Sequence, residues 1–517
     1  MRIEEGWQPA EIERLVDAEN ATASRLIFTD EQLFKLELQR IFTRTWLYIG
    51  HESEIPNNGD FVTRKMGNDP VILVRDDNGR VRVLLNTCTH RGTLVCRTDA
   101  GSTRGFTCPY HGWVFGTNGA LVATAEDHTY GGKLDFKTLD LRQARTSSYA
   151  GLVFATWNHD APTLDEHLGD ARWYIDIMFN RSPGGVQVIG LPHRWTTTNN
   201  WKLGPMNFGA DGPHAIQVHG PITEAALGGG GARAMLREAL LNSPSIAAGP
   251  YNGIFTQAPE EMPPWLGFEP EMVERYKQHL KPEQIALLER CVASVGTIFP
   301  NFSWVFGPVS FDLQNEPITN FFAIRNWQPV AVNRTEIWNW FLVDAEAPAE
   351  FVERSMRAGV RTFSAGGTFD QDDSEAWHGI QQGVQGEISQ TLDVSFQVSL
   401  NYRDRQIENW AGPGVAYPSN YAEVTEFNNL LMWRRCFQNW GRFKGGPEAG
   451  KRKARGRCPV PARVRVLLRR GGSAVRPRLQ GVVSAAGGGC PLQGRLSRVL
   501  RGWHAASGGY RQSLLRR

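Results

Sequence analysis

The chain has 517 residues, 41% of them hydrophobic, with 17 Trp and a formal net charge of +3. It is too long for one ordinary core, and its large apolar side chains suit two or three packed domains. No apolar run approaches the roughly 18 residues of a membrane helix, and the opening MRIEEGWQPAEIERL has acids where a secretory leader needs a basic and then an apolar stretch, so a cytoplasmic protein is expected.

In chain order, DEQLFKLELQRIF is the first amphipathic helical pattern. The β-rich runs FVTRKMG, PVILVRD and RVRVLLNTC follow, broken by the turn signals NDP and DDNG, and predict short antiparallel strands ending in loops. Two of the loops carry Cys88-Thr-His90 and Cys108-Pro-Tyr-His111. A Cys2His2 zinc finger places both cysteines before both histidines, whereas here each loop holds one of each. Two thiolates on one iron and two imidazoles on a second is Rieske ligation of a [2Fe-2S] cluster, a one-electron carrier. Gly92 and Gly112 follow the histidine pairs closely, where tight backbone is needed. Cys96 has no partner in the second loop and reads as a small buried side chain. The seven cysteines form no paired framework of a secreted scaffold.

About a hundred residues on, NFGADGPHAIQVHG gathers Asp211, His214 and His219 within nine positions. Two imidazoles and a carboxylate are the usual way to hold a non-haem ferrous ion with open positions. On a regular helix the two histidines would stand about 140° apart around the axis with a rise of about 7.5 Å, so an irregular helix is predicted, with Pro213 placed to break it. LGGGGARAMLREA reads as a flexible loop beside the site. TIFPNFSWVF and NRTEIWNWFLVDA predict strands, PAEFVERSMRAGVRTF and DDSEAWHGIQQGVQ predict helices, and FDQDDSEAW offers Asp370, Asp372 and Asp373 as acids. No GxGxxG opens a βαβ unit, so NAD(P)H is not expected to bind this chain directly.

Residues 449–517 hold 17 Lys+Arg and no acid, leaving 39 Lys+Arg against 53 Asp+Glu, a balance of −14, for the rest. The basic segment mixes Arg, Gly, Ala and Val without periodicity, as a GC-rich gene read out of frame would. Native coding sequence is therefore expected to stop near Phe443, and no nucleic-acid partner is expected.

Cys88, His90, Cys108 and His111, followed by NWKLGPMNFGADGPHAIQVH and FDQDDSEAW in that order, resemble the large catalytic subunits of the Rieske non-haem iron ring-hydroxylating oxygenases, from about Phe28 to Phe443. The resemblance implies an α+β fold: an all-β Rieske domain (40–160) and a catalytic domain (161–444) with an antiparallel sheet covered by helices, of helix-grip or START-like type. A helical segment (1–39) packs on the catalytic domain, and 445–517 is an aberrant or disordered tail. It implies a mononuclear Fe(II) held by His214, His219 and Asp373, with Asp372 the fallback. Asp211 becomes the acid that bridges an iron-binding histidine to a cluster histidine of a neighbouring subunit, and Asn207 and Phe363 fall on positions facing the pocket. The implied partners are a small beta subunit, a ferredoxin and an NAD(P)H-dependent reductase, in an α3 or α3β3 assembly with no membrane. The implied reaction is cis-dihydroxylation of an aromatic ring by O2. A monooxygenase or demethylase with the same two metal centres, and an inactive product of a damaged gene, are the alternatives. Pro205, Met206, Pro213 and the spacer AIQV depart from the usual family pattern and alter the pocket wall.

Overall fold

Alternation of apolar and polar side chains decides most of this architecture. The computed structural model describes residues 6–125, 127–226, 232–260, 262–311, 315–419 and 423–438. The tail expected from residue 445 lies outside the described residues.

The first β layer is a seven-stranded antiparallel sheet. Its order is Leu47–His51, Leu152–Thr156, Gln143–Tyr149, Val81–Leu85, Asp69–Arg75, Asp60–Met66 and Ala100–Ser102. The strands expected from FVTRKMG, PVILVRD and RVRVLLN are three consecutive members of it, paired in register Phe61 to Val74 and Val71 to Leu85. A small antiparallel sheet of Leu121–Ala123, Val114–Gly116 and Gly105–Thr107 presents the second Cys/His loop.

The second β layer is an eight-stranded antiparallel sheet, ordered Val186–Thr197, Arg334–Asp344, Thr319–Ala331, Phe302–Val309, Cys291–Ile298, Tyr251–Gln257, Ser245–Ala248 and Val415–Tyr417. Strand Thr319–Ala331 shows why it has two working faces. Phe321, Ala323 and Trp327 enter one core while Phe322 and Ile324 enter the other, the period-2 consequence of the pleat. Helices Ala349–Thr362, Thr368–Val384 and Val424–Gln438 lie with the first core.

The two layers are joined by buried polar contacts. Asn301 both accepts from Tyr48 N (3.0 Å) and donates to Tyr48 O (3.1 Å), and Trp340 donates its indole N–H to Glu54 (2.8 Å). Arg64 pairs with the same Glu54 and lies over the Trp338 ring at 4.6 Å.

A second buried knot ties the N-terminal helix to the catalytic core. Helix Glu31–Arg40 is capped by Asp30 accepting from Leu33 N, and its Glu37 is fully buried. Glu37 accepts from the indoles of Trp201 (2.8 Å) and Trp433 (2.7 Å) and from Lys202 Nζ (2.5 Å). Four donors and acceptors from three distant segments satisfy one another, as burial requires.

One expectation is corrected. In the segment read as a flexible loop, residues 232–242 form the helix Ala232–Asn242. Ala, Leu, Arg, Glu and Met are strong helix formers, and their propensity prevails once the glycine run has passed. Residues 227–231 of that segment lie outside the described residues.

Candidate functional site

The two Cys/His loops are built alike. Gly92 N donates to Cys88 O (2.8 Å) and Cys88 N to Thr93 O (2.8 Å). In the second loop Gly112 N donates to Cys108 O (3.1 Å) and Cys108 N to Trp113 O (2.7 Å). Both turns need a left-handed residue, and Gly92 (φ +78°) and Gly112 (φ +68°) supply it. The loops bring His90 and His111 to 4.6 Å between ring centroids, with Trp113 stacked on His90 at 4.7 Å. Cys88 and Cys108 are buried and unbridged. Burial pushes the Cys88 thiol up against the pull of the His90 backbone N–H, and the neighbouring Cys108 adds to the rise. His90 Nδ1 is buried with no hydrogen-bond partner. A buried imidazole nitrogen without a proton partner, beside two buried thiols, is a donor set waiting for metal.

The histidine motif is a broken helix. Leu203–Asn207, Gly212–Val218 and Gly220–Ala226 are separate short helices. The break falls before Asp211, which caps the middle helix by accepting from His214 N (3.3 Å). Pro213 starts that helix rather than interrupting it, being in its first turn, where no N–H is missed. His219 is the residue after the last turn, which frees its ring to swing toward His214; the centroids are 5.2 Å apart.

Asp373 reaches this pair from helix Thr368–Val384. Its Oδ1 lies 3.4 Å from His214 Nε2 and 3.2 Å from His219 Nε2. Neither approach has hydrogen-bond geometry, so Asp373 Oδ1 is a buried oxygen without a hydrogen-bond partner. Among the described residues, His214, His219 and Asp373 are the group whose ligand atoms all lie within 4.8 Å of one another. Burial would raise the Asp373 carboxyl, but the His219 and His214 charges outweigh it and hold it below the ordinary range. Burial would likewise lower His214, yet Asp211 and then Asp373 raise it well above the usual imidazole value. Protons are drawn in where a divalent cation would place its charge, so the residues fit a cation.

The histidine tautomers follow from the outer contacts. His214 Nδ1 donates to the main-chain oxygen of Asp211 and lies 3.5 Å from its carboxylate, leaving Nε2 as the nitrogen that faces Asp373 and, at 3.4 Å, the Asn207 amide. His219 Nδ1 faces Asp372 Oδ2 at 3.6 Å, so its Nε2 is the inward atom. Asp372, with 37% of its side chain exposed against 2% for Asp373, stands outside the group rather than in it. Phe363 is buried and meets Phe208, Phe321 and Phe369 at 5.6–6.4 Å, and Phe369 in turn lies 4.9 Å from His219.

Several residues at the site carry no sequence signal. Glu423 and Glu426 come from the C-terminal helix region. Burial and then the Asp211 charge push Glu423 up to about 7, and burial, Asp211 and Glu423 push Glu426 well above its usual range. Arg325, likewise without a sequence signal, forms a fully buried ion pair with Asp370, one of the three candidate acids. A small crevice lined by Arg181, Phe268, Phe306 and Phe322 contains none of the converging groups. The site is therefore defined by its donors.

An iron-sulfur-type loop pair on one β domain and a two-histidine, one-carboxylate group on a helix-covered sheet define a two-centre redox protein. A family model for the Rieske [2Fe-2S] domain matches residues 45–133, and one for the ring hydroxylating alpha subunit (catalytic domain) matches 238–411. The chain is 36% identical to the biphenyl 2,3-dioxygenase alpha subunit of Rhodococcus jostii (strain RHA1), over 83% of this chain and 92% of that one. It is 37% identical to the N,N-dimethyl phenylurea N-demethylase alpha subunit of Sphingobium sp. (strain YBL2), over 79% and 89%. The structure of naphthalene 1,2-dioxygenase from Rhodococcus sp. superposes with a TM-score of 0.79 at 33% identity, covering 83% of this chain and 98% of that one. The chain belongs to the Rieske non-haem iron ring-hydroxylating oxygenases, as an alpha subunit. Its two domains take one Rieske [2Fe-2S] cluster and one mononuclear iron. Neither family match includes the histidine helix, so the placement of His214 and His219 rests on the geometry.

Proposed function

We propose that this chain is the terminal oxygenase component of an aromatic-ring dioxygenase, with Cys88, Cys108, His90 and His111 holding the cluster and His214, His219 and Asp373 holding the iron. The single observation that carries it is the convergence of two inward Nε2 atoms on one buried, unpartnered carboxylate oxygen. His214, His219 and Asp373 would hold a ferrous ion with positions left open for dioxygen, and a cluster held by Cys88, His90, Cys108 and His111 would supply one-electron redox chemistry. Overall, an arene, O2, two electrons and two protons give a cis-dihydrodiol carrying both oxygen atoms.

The chain's own groups do the rest. The Asp211 main-chain oxygen fixes the orientation of His214, the usual way an outer partner orients a ligand. Phe208, Phe321, Phe363 and Phe369 make a dry aromatic wall beside His219, suited to a flat hydrocarbon ring and to excluding water. Asp211 keeps a quarter of its side chain exposed, which supports its role as the acid that meets the cluster histidine of a neighbouring subunit in an α3 or α3β3 ring with a small beta subunit. Electrons arrive through a ferredoxin and an NAD(P)H-dependent reductase. No helix among the described residues is long and apolar enough to cross a membrane.

The N-demethylase relative supports a second reading, insertion of one oxygen atom into a C–H bond with the other leaving as water. Product analysis under labelled dioxygen separates the two: two labelled atoms in a diol support dioxygenation, and one labelled atom refutes it. Iron and acid-labile sulfide near three to two per chain, with a Rieske spectrum, tests the metal content.

A further inference from the structure

Arg325 occupies an unusual place: a fully buried cation that touches both segments carrying the converging ligands. It lies on the face of strand Thr319–Ala331 shared with Phe321 and Trp327, in the middle of the sheet. Toward the acid segment, Arg325 Nη2 donates to Asp370 Oδ2, and both side chains are at most 1% exposed. Asp370 precedes Asp373 by three residues on one helix, so the two carboxylates share a face one turn apart. Toward the histidine segment, the guanidinium lies over the ring of Phe208 at 4.9 Å, the residue between the first two short helices of the motif. Phe363 and Trp195 flank it at 5.3 and 5.6 Å. Its Nε donates to Asn339 Oδ1 on the adjacent strand (3.1 Å), which fixes the plane of the fork.

A buried ion pair contributes little net stability, because desolvation offsets the attraction, and apolar side chains of similar volume would hold the core as well. A planar fork with a stackable face, anchored at the centre of a sheet, offers geometry instead. We propose that Arg325 is a positioning residue for the iron site: through Asp370 it sets the rotation and depth of the aspartate helix, and through its stacked face it sets Phe208 and Phe363. The histidine arm and the carboxylate arm thereby share one rigid reference. This rests on His214, His219 and Asp373 being the iron ligands.

The experiment is a Co(II) titration of full-length protein depleted of mononuclear iron but retaining its cluster, followed by EPR with the cluster oxidised. Arg325→Met and Asp370→Asn are expected to weaken Co(II) binding tenfold or more, the range for outer partners of metal ligands. Both should alter the Co(II) signal while keeping the cluster spectrum and a cooperative melting transition, shifted down because each leaves one buried partner uncompensated. Arg325→Lys, which keeps the charge against Asp370, should recover binding to within about threefold. Binding within twofold of the unsubstituted protein and an unchanged signal in both Arg325→Met and Asp370→Asn would overturn the proposal. So would loss of cluster and cooperative melting together with Co(II) binding in both Asp370→Asn and Arg325→Lys, since Arg325 would then be only a fold residue. If the unsubstituted protein takes up no Co(II), or His214→Ala binds it equally well, the ligand reading fails instead.

Discussion

Replacing Asp373 by Asn keeps the side chain's shape and removes its charge from between two imidazoles, so it isolates what the carboxylate does. Its Oδ1 is 3.4 and 3.2 Å from the two inward nitrogens, and the side chain is 2% exposed, so neither water nor another acid can take its place. Asp372 is the natural control, because it touches only the outer nitrogen of His219, at 3.6 Å, and is 37% exposed. Loss of an outer partner typically weakens metal binding about 10–100-fold, or about 1.4–2.7 kcal/mol. Asp373→Asn removes one of three donors and the only negative one, so its effect should exceed about 2.7 kcal/mol by the same yardstick. Purified Asp373→Asn should then hold about two irons per chain instead of three, with sulfide still at two and the cluster spectrum intact. Asp372→Asn should keep nearly three at saturating iron. Metal analysis, sulfide assay and a melting curve on the same preparations decide it. Full iron content in Asp373→Asn, with loss in Asp372→Asn, would refute the assignment.

Three further outcomes are expected. Asp211→Ala should retain both metal centres and a reducible cluster but lose about 10–100-fold in turnover, read as product formed per cluster oxidised in rapid mixing; unchanged turnover would remove Asp211 from the electron path. Glu37→Leu leaves buried Lys202 uncompensated, a loss of about 3–5 kcal/mol, and orphans two indole N–H groups. The protein should melt far lower or fail to accumulate, and Lys202→Met in the same chain should restore much of the loss. His51 is held down to about 4 by burial, with the Glu54 and Glu52 charges only partly opposing it. The unfolded chain, near 6.5, therefore takes up the proton first. Stability is unaffected by this group above pH 6.5 and falls as pH drops from 6.5 toward 4, with about 2 kcal/mol lost by pH 5. The difference in melting temperature between the natural chain and His51→Gln across pH 7 to 5 should show that slope.

The parts of this protein visible in its sequence are those whose chemistry is local. Cys88 with His90, Cys108 with His111, and His214 with His219 are each close enough along the chain that connectivity alone keeps them within reach of one metal centre, so their spacing could be read without a fold. The β-rich runs flanking the first loops were legible for a similar reason, since pleat alternation is a property of neighbours. Local chemistry narrowed the third ligand only to Asp370, Asp372 and Asp373, because consecutive helical residues differ by about 100° in direction and nothing local says which faces inward; the choice of Asp373, with Asp372 as fallback, came from the family resemblance. In the folded chain packing decides it: Asp370 is drawn onto Arg325, which turns Asp373 to the histidines and leaves Asp372 half outside. The helix Ala232–Asn242 was hidden by the glycines before it. Glu423 and Glu426 beside Asp211, and Glu37 among Trp201, Lys202 and Trp433, unite segments more than 150 positions apart. Such meetings have no signature in spacing, because the partner of a buried charge is selected by how sheets and helices close over it, and only the tertiary structure records that.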